Sequence, residues 1–144
     1  MQTDGAAPAT NELTNEDGER LRILLVEDDP QTLATTAEML DLLGHFVAPA
    51  STAEVARARF LDGAFDVLIT DIDLPGLSGV ELAEEIVKKS SAPLGVIFAT
   101  GKPRPAGSNA LWLQKPYLVE ELQAALAKAA AHAWRRSGQA CDPA

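Results

Sequence analysis

The sequence predicts an α/β fold: a doubly wound, parallel, five-stranded sheet with helices on both faces. Three observations predict it. Short apolar runs such as Val67-Leu68-Ile69 lack the alternation of a half-exposed strand and read as strands covered on both sides. The segments between these runs carry apolar residues three and four apart, bounded by cap and turn signals, as amphipathic helices do. Several runs end in carboxylates or hydroxyls, at the sheet edge where parallel α/β sheets place their chemistry. The organising stretch is Phe65 to Gly76, in which Val67-Leu68-Ile69-Thr70 leads into Asp71 and a Pro75-Gly76 turn follows.

Met1 to about Glu19 is polar and acidic without apolar periodicity; residues 1–20 are expected to form a disordered arm, with an interaction segment as the alternative. Arg22-Ile23-Leu24-Leu25-Val26 reads as the first strand, ending in Glu27-Asp28-Asp29. Pro30 suits the first turn of a helix whose buried face is Leu33, Ala37, Leu40 and Leu43, closed by Gly44. Phe46-Val47-Ala48 is a brief second strand. Ser51-Thr52-Ala53-Glu54 fits a capping box opening a helix to about Leu61. After the Asp71 strand, Gly79 to Lys89 is helical with Val80, Ala83, Ile86 and Val87 inward. Leu94 to Ala99 is the fourth strand, ending at Thr100-Gly101, and Leu111-Trp112-Leu113 is the fifth, leading to Lys115-Pro116. The last helix runs from about Val119 to Trp134 on a stripe of Leu122, Ala125, Leu126, Ala129 and Ala133. One domain over residues 21–136 and a frayed tail at 137–144 complete the organisation. Between Thr100 and Trp112 the chain is short for a loop, a helix and another loop, since an average helix alone takes ~11 residues. Two prolines and two glycines there oppose one further, so a fourth helix at this point is predicted to be missing or a single turn.

Composition narrows the function. The 144 residues are 47% hydrophobic and 23% charged, ordinary for one globular domain. A net charge of -9 argues against a nucleic-acid surface. No signal peptide and no membrane span are read, and the single cysteine, Cys141, forms no internal disulfide. A cytoplasmic location and a monomeric state are expected.

Three strand ends bring polar groups to one edge: Glu27, Asp28 and Asp29 from the first, Asp71 from the third, Thr100 from the fourth. Lys115 follows the fifth. Clustered carboxylates repel unless a cation sits among them, and hard oxygen ligands favour Mg2+ over zinc. A carboxylate beside Mg2+, a lysine and a hydroxyl is equipped to accept a phosphoryl group.

Val26-Glu27-Asp28-Asp29-Pro30, Asp71-Ile72-Asp73-Leu74-Pro75-Gly76-Leu77-Ser78-Gly79, Thr100 and Lys115-Pro116 resemble, in order and spacing, the receiver domain of bacterial two-component response regulators. The resemblance spans about Leu21 to Trp134 and implies the flavodoxin-like receiver fold. It implies Asp71 as phosphoacceptor and Mg2+ held by Asp28, Asp71, the backbone carbonyl of Asp73 and, through water, Glu27. Thr100 is then the switch hydroxyl, Lys115 the phosphate-contacting lysine, and Pro116 cis. Trp112 occupies the switch-aromatic position, where the family more often has Tyr or Phe; core packing is the alternative. Asp73 and Lys102, each two residues past a key position, would pair across the mouth of the site and lengthen the phosphorylated lifetime. Phe98-Ala99-Thr100-Gly101 also resembles the stand-alone FATGUY receivers, although Lys102-Pro103 departs from their motif.

The implied function is a single-domain response regulator, a phosphoacceptor that catalyses only its own phosphorylation and dephosphorylation. Its implied partners are a sensor histidine kinase or phosphotransfer protein and a downstream protein, with switch and phosphorelay carrier both open. The rivals are a phosphorylation-independent adaptor and a Mg2+-dependent aspartyl phosphatase using Asp71 and Asp73. Asp29 is read as a helix-start charge, and His45 and His132 as helix-end or surface residues.

Overall fold

The structure, a computed structural model, describes residues 20–102 and 110–131. Five parallel strands, β1 (Arg22–Val26), β2 (Phe46–Ala50), β3 (Val67–Asp71), β4 (Gly95–Thr100) and β5 (Leu111–Gln114), form one sheet in the order β2-β1-β3-β4-β5. Among the described residues four helices connect them: α1 (Pro30–Leu42), α2 (Ala53–Arg59), α3 (Gly79–Lys89) and α4 (Val119–Ala131).

Successive side chains of a strand point to opposite faces, and here the alternation builds two cores. Ile23, Leu25, Val67, Ile69, Ile97 and Leu113 join Leu40 of α1 and Leu122 and Leu126 of α4. Leu24, Val26, Leu68, Val96 and Phe98 join Ala53 and Ala56 of α2 and Leu82, Ala83 and Ile86 of α3. Each fully buried Leu or Ile contributes roughly 1.5–3 kcal/mol, so burial on both faces is the main force holding the strand ends in register. This is the doubly wound, flavodoxin-like sheet that the sequence predicts.

Local chemistry sets the helix starts. Asp29 caps α1, its side chain accepting from the Thr32 N–H at 2.8 Å, and Pro30 occupies the first turn. That is the helix-start role expected of Asp29. The cap of α2 is Thr52 rather than Ser51, accepting from the Val55 N–H at 3.0 Å, so the expected capping box is displaced by one residue. Val55 cannot return the bond as Glu54 would have. A reciprocal capping box forms instead at Ser78 and Glu81, which open α3. Helix α2 ends at Arg59 rather than Leu61, and β2 extends to Ala50. Leu82 is buried on α3, with Val80 and Val87 only partly covered, because the inward face is rotated from the expected stripe.

His45 is buried, not a surface residue. Its Nδ1 accepts the Leu21 N–H at 3.1 Å, satisfying a buried backbone donor just before β1. Burial holds its pKa below the ordinary histidine value, with the charge of Arg20 adding to the effect.

Of the segment predicted to lack a full helix, Gly101, Lys102 and Ala110 are non-helical and 103–109 lie outside the described residues. The expected arm up to residue 19, Ala133, His132, Cys141 and the tail also lie outside them.

Candidate functional site

Strand register assembles the site. Val26 pairs with Thr70, and Asp71 pairs with Ala99. The residue after Val26, Glu27, therefore arrives level with Asp71 on the neighbouring strand. Thr100 pairs with Gln114, so Lys115 emerges one step beyond β5, its N–H donating to the Thr100 carbonyl at 2.8 Å. Glu27 and Lys115 continue the series of residues that faces α1 and α4, as Asp71 does.

The Lys115 ammonium bridges two buried carboxylates. Its Nζ lies 2.6 Å from Glu27 Oε1 and 3.2 Å from Asp71 Oδ2. The side chains of Glu27 and Asp71 are 4% and 8% exposed, so both charges depend on partners rather than water. Glu27 Oε2 accepts the Asp29 N–H at 3.0 Å, and Asp71 Oδ1 accepts the Asp73 N–H at 3.3 Å. Burial pushes Glu27 above the usual carboxylate range, against the pull of Lys115 and the Asp29 N–H and with the nearby Asp71 charge. Burial would lower Lys115, but its bond to Glu27 and the charges of Glu27 and Asp71 outweigh that and raise it. Glu27, through burial, and Lys115, through its bond to Glu27 and the charges of Glu27 and Asp71, therefore both hold their protons more tightly than usual.

Glu27, Asp28 and Asp71 each offer a carboxylate oxygen, all within 4.8 Å of one another. Octahedral Mg2+ with ligands at about 2.1 Å places neighbouring ligand oxygens roughly 3–4 Å apart. The cluster fits such an ion after small side-chain movements, and the exposed Asp28 is free to make them. Thr100, 4% exposed, has its Oγ1 3.2 Å from the donating N–H of Lys102. Trp112 lies against Phe98, ring centroids 5.3 Å apart. A groove of about 520 Å³ opens beside them, lined by Thr100, Lys102, Trp112, Gln114, Glu121 and Lys128 among others.

The structure brings Glu27, Asp28, Asp71 and Lys115 together. Asp73 and Lys102 are both exposed and form no ion pair with each other, so the expected pair across the mouth is not made here. The Lys115–Pro116 peptide is cis, as the resemblance implied. Two features escaped the sequence reading. Gly79, at the start of α3, sits so close to the end of β3 that a Cβ there would overlap the Asp71 carbonyl oxygen. Thr36, on the buried face of α1, shares a 2.6 Å hydrogen bond with the Tyr117 hydroxyl. Its signal was a threonine between Leu33 and Leu40 on an otherwise apolar stripe.

The fold and the strand-end cluster define a flavodoxin-like domain with its chemistry at the carboxyl edge of a parallel sheet. Residues 23–127 match the response regulator receiver domain, and the chain belongs to that family. It is 39% identical over 93 residues to the virulence sensor protein BvgS of Bordetella pertussis, a match covering 65% of this chain and 8% of that protein. Among solved structures, response regulator TrrA of Thermotoga maritima in complex with Mg2+-BeF is 31% identical with a TM-score of 0.66, covering 75% of this chain and 97% of that one. The non-phosphorylated HemR receiver domain of Leptospira biflexa is 30% identical with a TM-score of 0.67, covering 81% and 99%.

Proposed function

We propose that Asp71 accepts a phosphoryl group, in a Mg2+-dependent reaction, from a sensor histidine kinase or a phosphotransfer protein. The phosphorylated domain then acts by binding a downstream protein or passing the group onward. The observation that carries this reading is Lys115, held between Glu27 and the buried Asp71 beside a third carboxylate. An Asp71 carboxylate oxygen forms the new O–P bond as the N–P bond to the donor histidine breaks, and Lys115 offsets charge on the transferring group. Mg2+, when bound, neutralises further negative charge there. Asp28, Asp71 and the Asp73 carbonyl would hold it directly, and Glu27 through a water. The Mg2+-BeF complex of the TrrA structure supports this chemistry, and the likeness to a sensor protein supports a sensor-type partner.

Thr100 donates to the phosphoryl group and Trp112 carries its state to the groove beside it, a surface open to a downstream protein. Among the described residues no helix is long and apolar enough to cross a membrane. Asp73 and Lys102, two residues beyond Asp71 and Thr100 respectively, would pair across the mouth once Asp71 is phosphorylated and so hinder the attacking water. Lys102→Ala is expected to lose its phosphoryl group several-fold faster than wild type; an equal lifetime, followed by mass after donor removal, refutes that role.

The test of the whole reading is intact mass after incubation with acetyl phosphate, with and without Mg2+, on wild type and Asp71→Asn. A single Mg2+-dependent phosphoryl adduct on wild type, absent from the variant, is expected. An equal adduct on Asp71→Asn overturns the assignment of Asp71.

A further inference from the structure

Thr36 is an expensive residue for its position. It and Leu40 are the two buried residues of α1. A β-branched side chain is a mediocre helix former, and a buried hydroxyl costs free energy unless it is hydrogen-bonded. In a helix such a hydroxyl commonly turns back to the carbonyl four residues earlier. Thr36 Oγ1 instead reaches across the domain to the Tyr117 hydroxyl at 2.6 Å. Tyr117 lies two residues beyond Lys115 in the segment between β5 and α4, and its ring packs into the core under α1 and α4.

The phenol also borders the charged site. Burial raises its pKa, Thr36 opposes this, and the charges of Glu27, Lys115 and Asp71 all act on it. The hydroxyl stays protonated at neutral pH. The segment carrying Lys115 is then held at three points: the Lys115 N–H on the Thr100 carbonyl at 2.8 Å, Tyr117 on Thr36, and the Leu118 N–H on Glu121 Oε1 at 2.8 Å. The first fastens it to β4 and the last to α4. The middle one fastens it to α1, the helix that begins directly after Glu27, Asp28 and Asp29.

We propose that Thr36 and Tyr117 are positioning residues, whose shared hydroxyl bond locks the Lys115 segment to α1 and so sets the ammonium between Glu27 and Asp71. A mismatch between α1 and the β5–α4 segment would move Lys115 relative to both carboxylates, because the three groups come from different elements. This rests on the phosphoacceptor reading, in which Lys115 acts on the transferring group.

The experiment measures phosphorylation rate with acetyl phosphate and Mg2+, well below the unfolding temperature, for Tyr117→Phe, Thr36→Val, the double variant and Thr36→Ser, and repeats Tyr117→Phe in a Lys115→Ala background. Each hydroxyl deletion is expected to slow the reaction roughly three- to tenfold, the range one neutral hydrogen bond corresponds to. The double variant should be no slower than the slower single one, and Thr36→Ser should stay near wild type. In the Lys115→Ala background Tyr117→Phe should add nothing, because its effect runs through Lys115; a merely structural role would persist there. Wild-type rates in both hydroxyl deletions, with Lys115→Ala slow, overturn the proposal. If Lys115→Ala is itself as fast as wild type, the role assigned to Lys115 fails instead. A second readout needs no phosphorylation: the Lys115 ammonium resonance in 15N NMR should shift or broaden in Tyr117→Phe, and an unchanged resonance also overturns the proposal.

Discussion

Replacing Lys115 with methionine keeps most of its length and packing and removes the charge. Glu27 and Asp71 are then left at 4% and 8% side-chain exposure with Asp28 nearby and no cation between them. Breaking a buried ion pair by deleting one partner costs about 3–5 kcal/mol. The Lys115 side chain is itself 22% exposed, so water replaces part of what is lost and roughly 2–3 kcal/mol is expected. For a domain of this size that lowers the urea midpoint by roughly 1–2 M. The assay is urea unfolding at neutral pH in EDTA, repeated in excess Mg2+. An ion at a hundred times its dissociation constant stabilises a folded protein by about 2.7 kcal/mol. The gain should be larger in Lys115→Met than in wild type, since the ion then supplies the positive charge the ammonium gave. A variant that unfolds at the wild-type midpoint in EDTA refutes the argument that Lys115 holds the carboxylates in the absence of metal. Equal Mg2+ gains in the two proteins refute the placing of the ion among the same carboxylates.

Gly79→Ala drives a Cβ into the Asp71 carbonyl, with the Asp71 carbonyl carbon at 2.9 Å and Ile72 Cα at 3.0 Å also too near. It should cost about 1–3 kcal/mol by urea unfolding and slow phosphorylation by acetyl phosphate; a variant with both properties unchanged refutes the close approach. His45→Asn keeps an acceptor for the Leu21 N–H but does not titrate. Because folding lowers the His45 pKa, the unfolded chain takes the proton first as pH falls past about 6.5, and wild-type stability should decline there by up to about 1.4 kcal/mol per pH unit. The variant should decline less steeply between about pH 6.5 and 5.5, and parallel urea-midpoint curves would show that His45 is not the group responsible.

The sheet was legible because its strands are built on short apolar runs, and the central β3 and β4, buried along their whole length, have few other ways to be written. The strand-end carboxylates were legible for the complementary reason: Glu27 and Asp71 are charges at the ends of runs that otherwise exclude charge. Positions that depend on helix phase were harder. Val80 and Val87 share one side of α3 while Leu82 lies far round the helix from them, and packing against β3 and β4 turns the Leu82 side inward. The cap at Thr52 rather than Ser51 is a choice between adjacent hydroxyls that the backbone entry angle decides. The helix-end place of His45 was legible, but its burial was not, because a solitary histidine carries no pattern; its role is to satisfy a backbone donor 24 positions away. The Thr36–Tyr117 bond spans 81 positions, and no local rule connects two hydroxyls so far apart.

The charge arrangement explains why the site is confined to the sheet edge and why it sits under tension. Glu27 and Asp71 are brought level by the same register that pairs β1 with β3, so neither can withdraw without breaking the ladder. Carboxylate oxygens within 4.8 Å of one another carry charges that repel by about 0.9 kcal/mol or more even at the dielectric of water, and by more where the protein excludes it. The Lys115 ammonium offsets that cost, and it lies on a segment tied to α1, β4 and α4 rather than on the carboxylates' own strands. Adding a phosphoryl group to Asp71 places more negative charge where the existing charge is already only just balanced. On the phosphoacceptor reading proposed above, cation and ammonium would act on that product together, and the phosphorylated state would draw the Lys115 segment, Thr100 and the edge beside Trp112 toward Asp71. On that reading, the requirement to neutralise the product would couple the chemistry of β3 to the surface of β5.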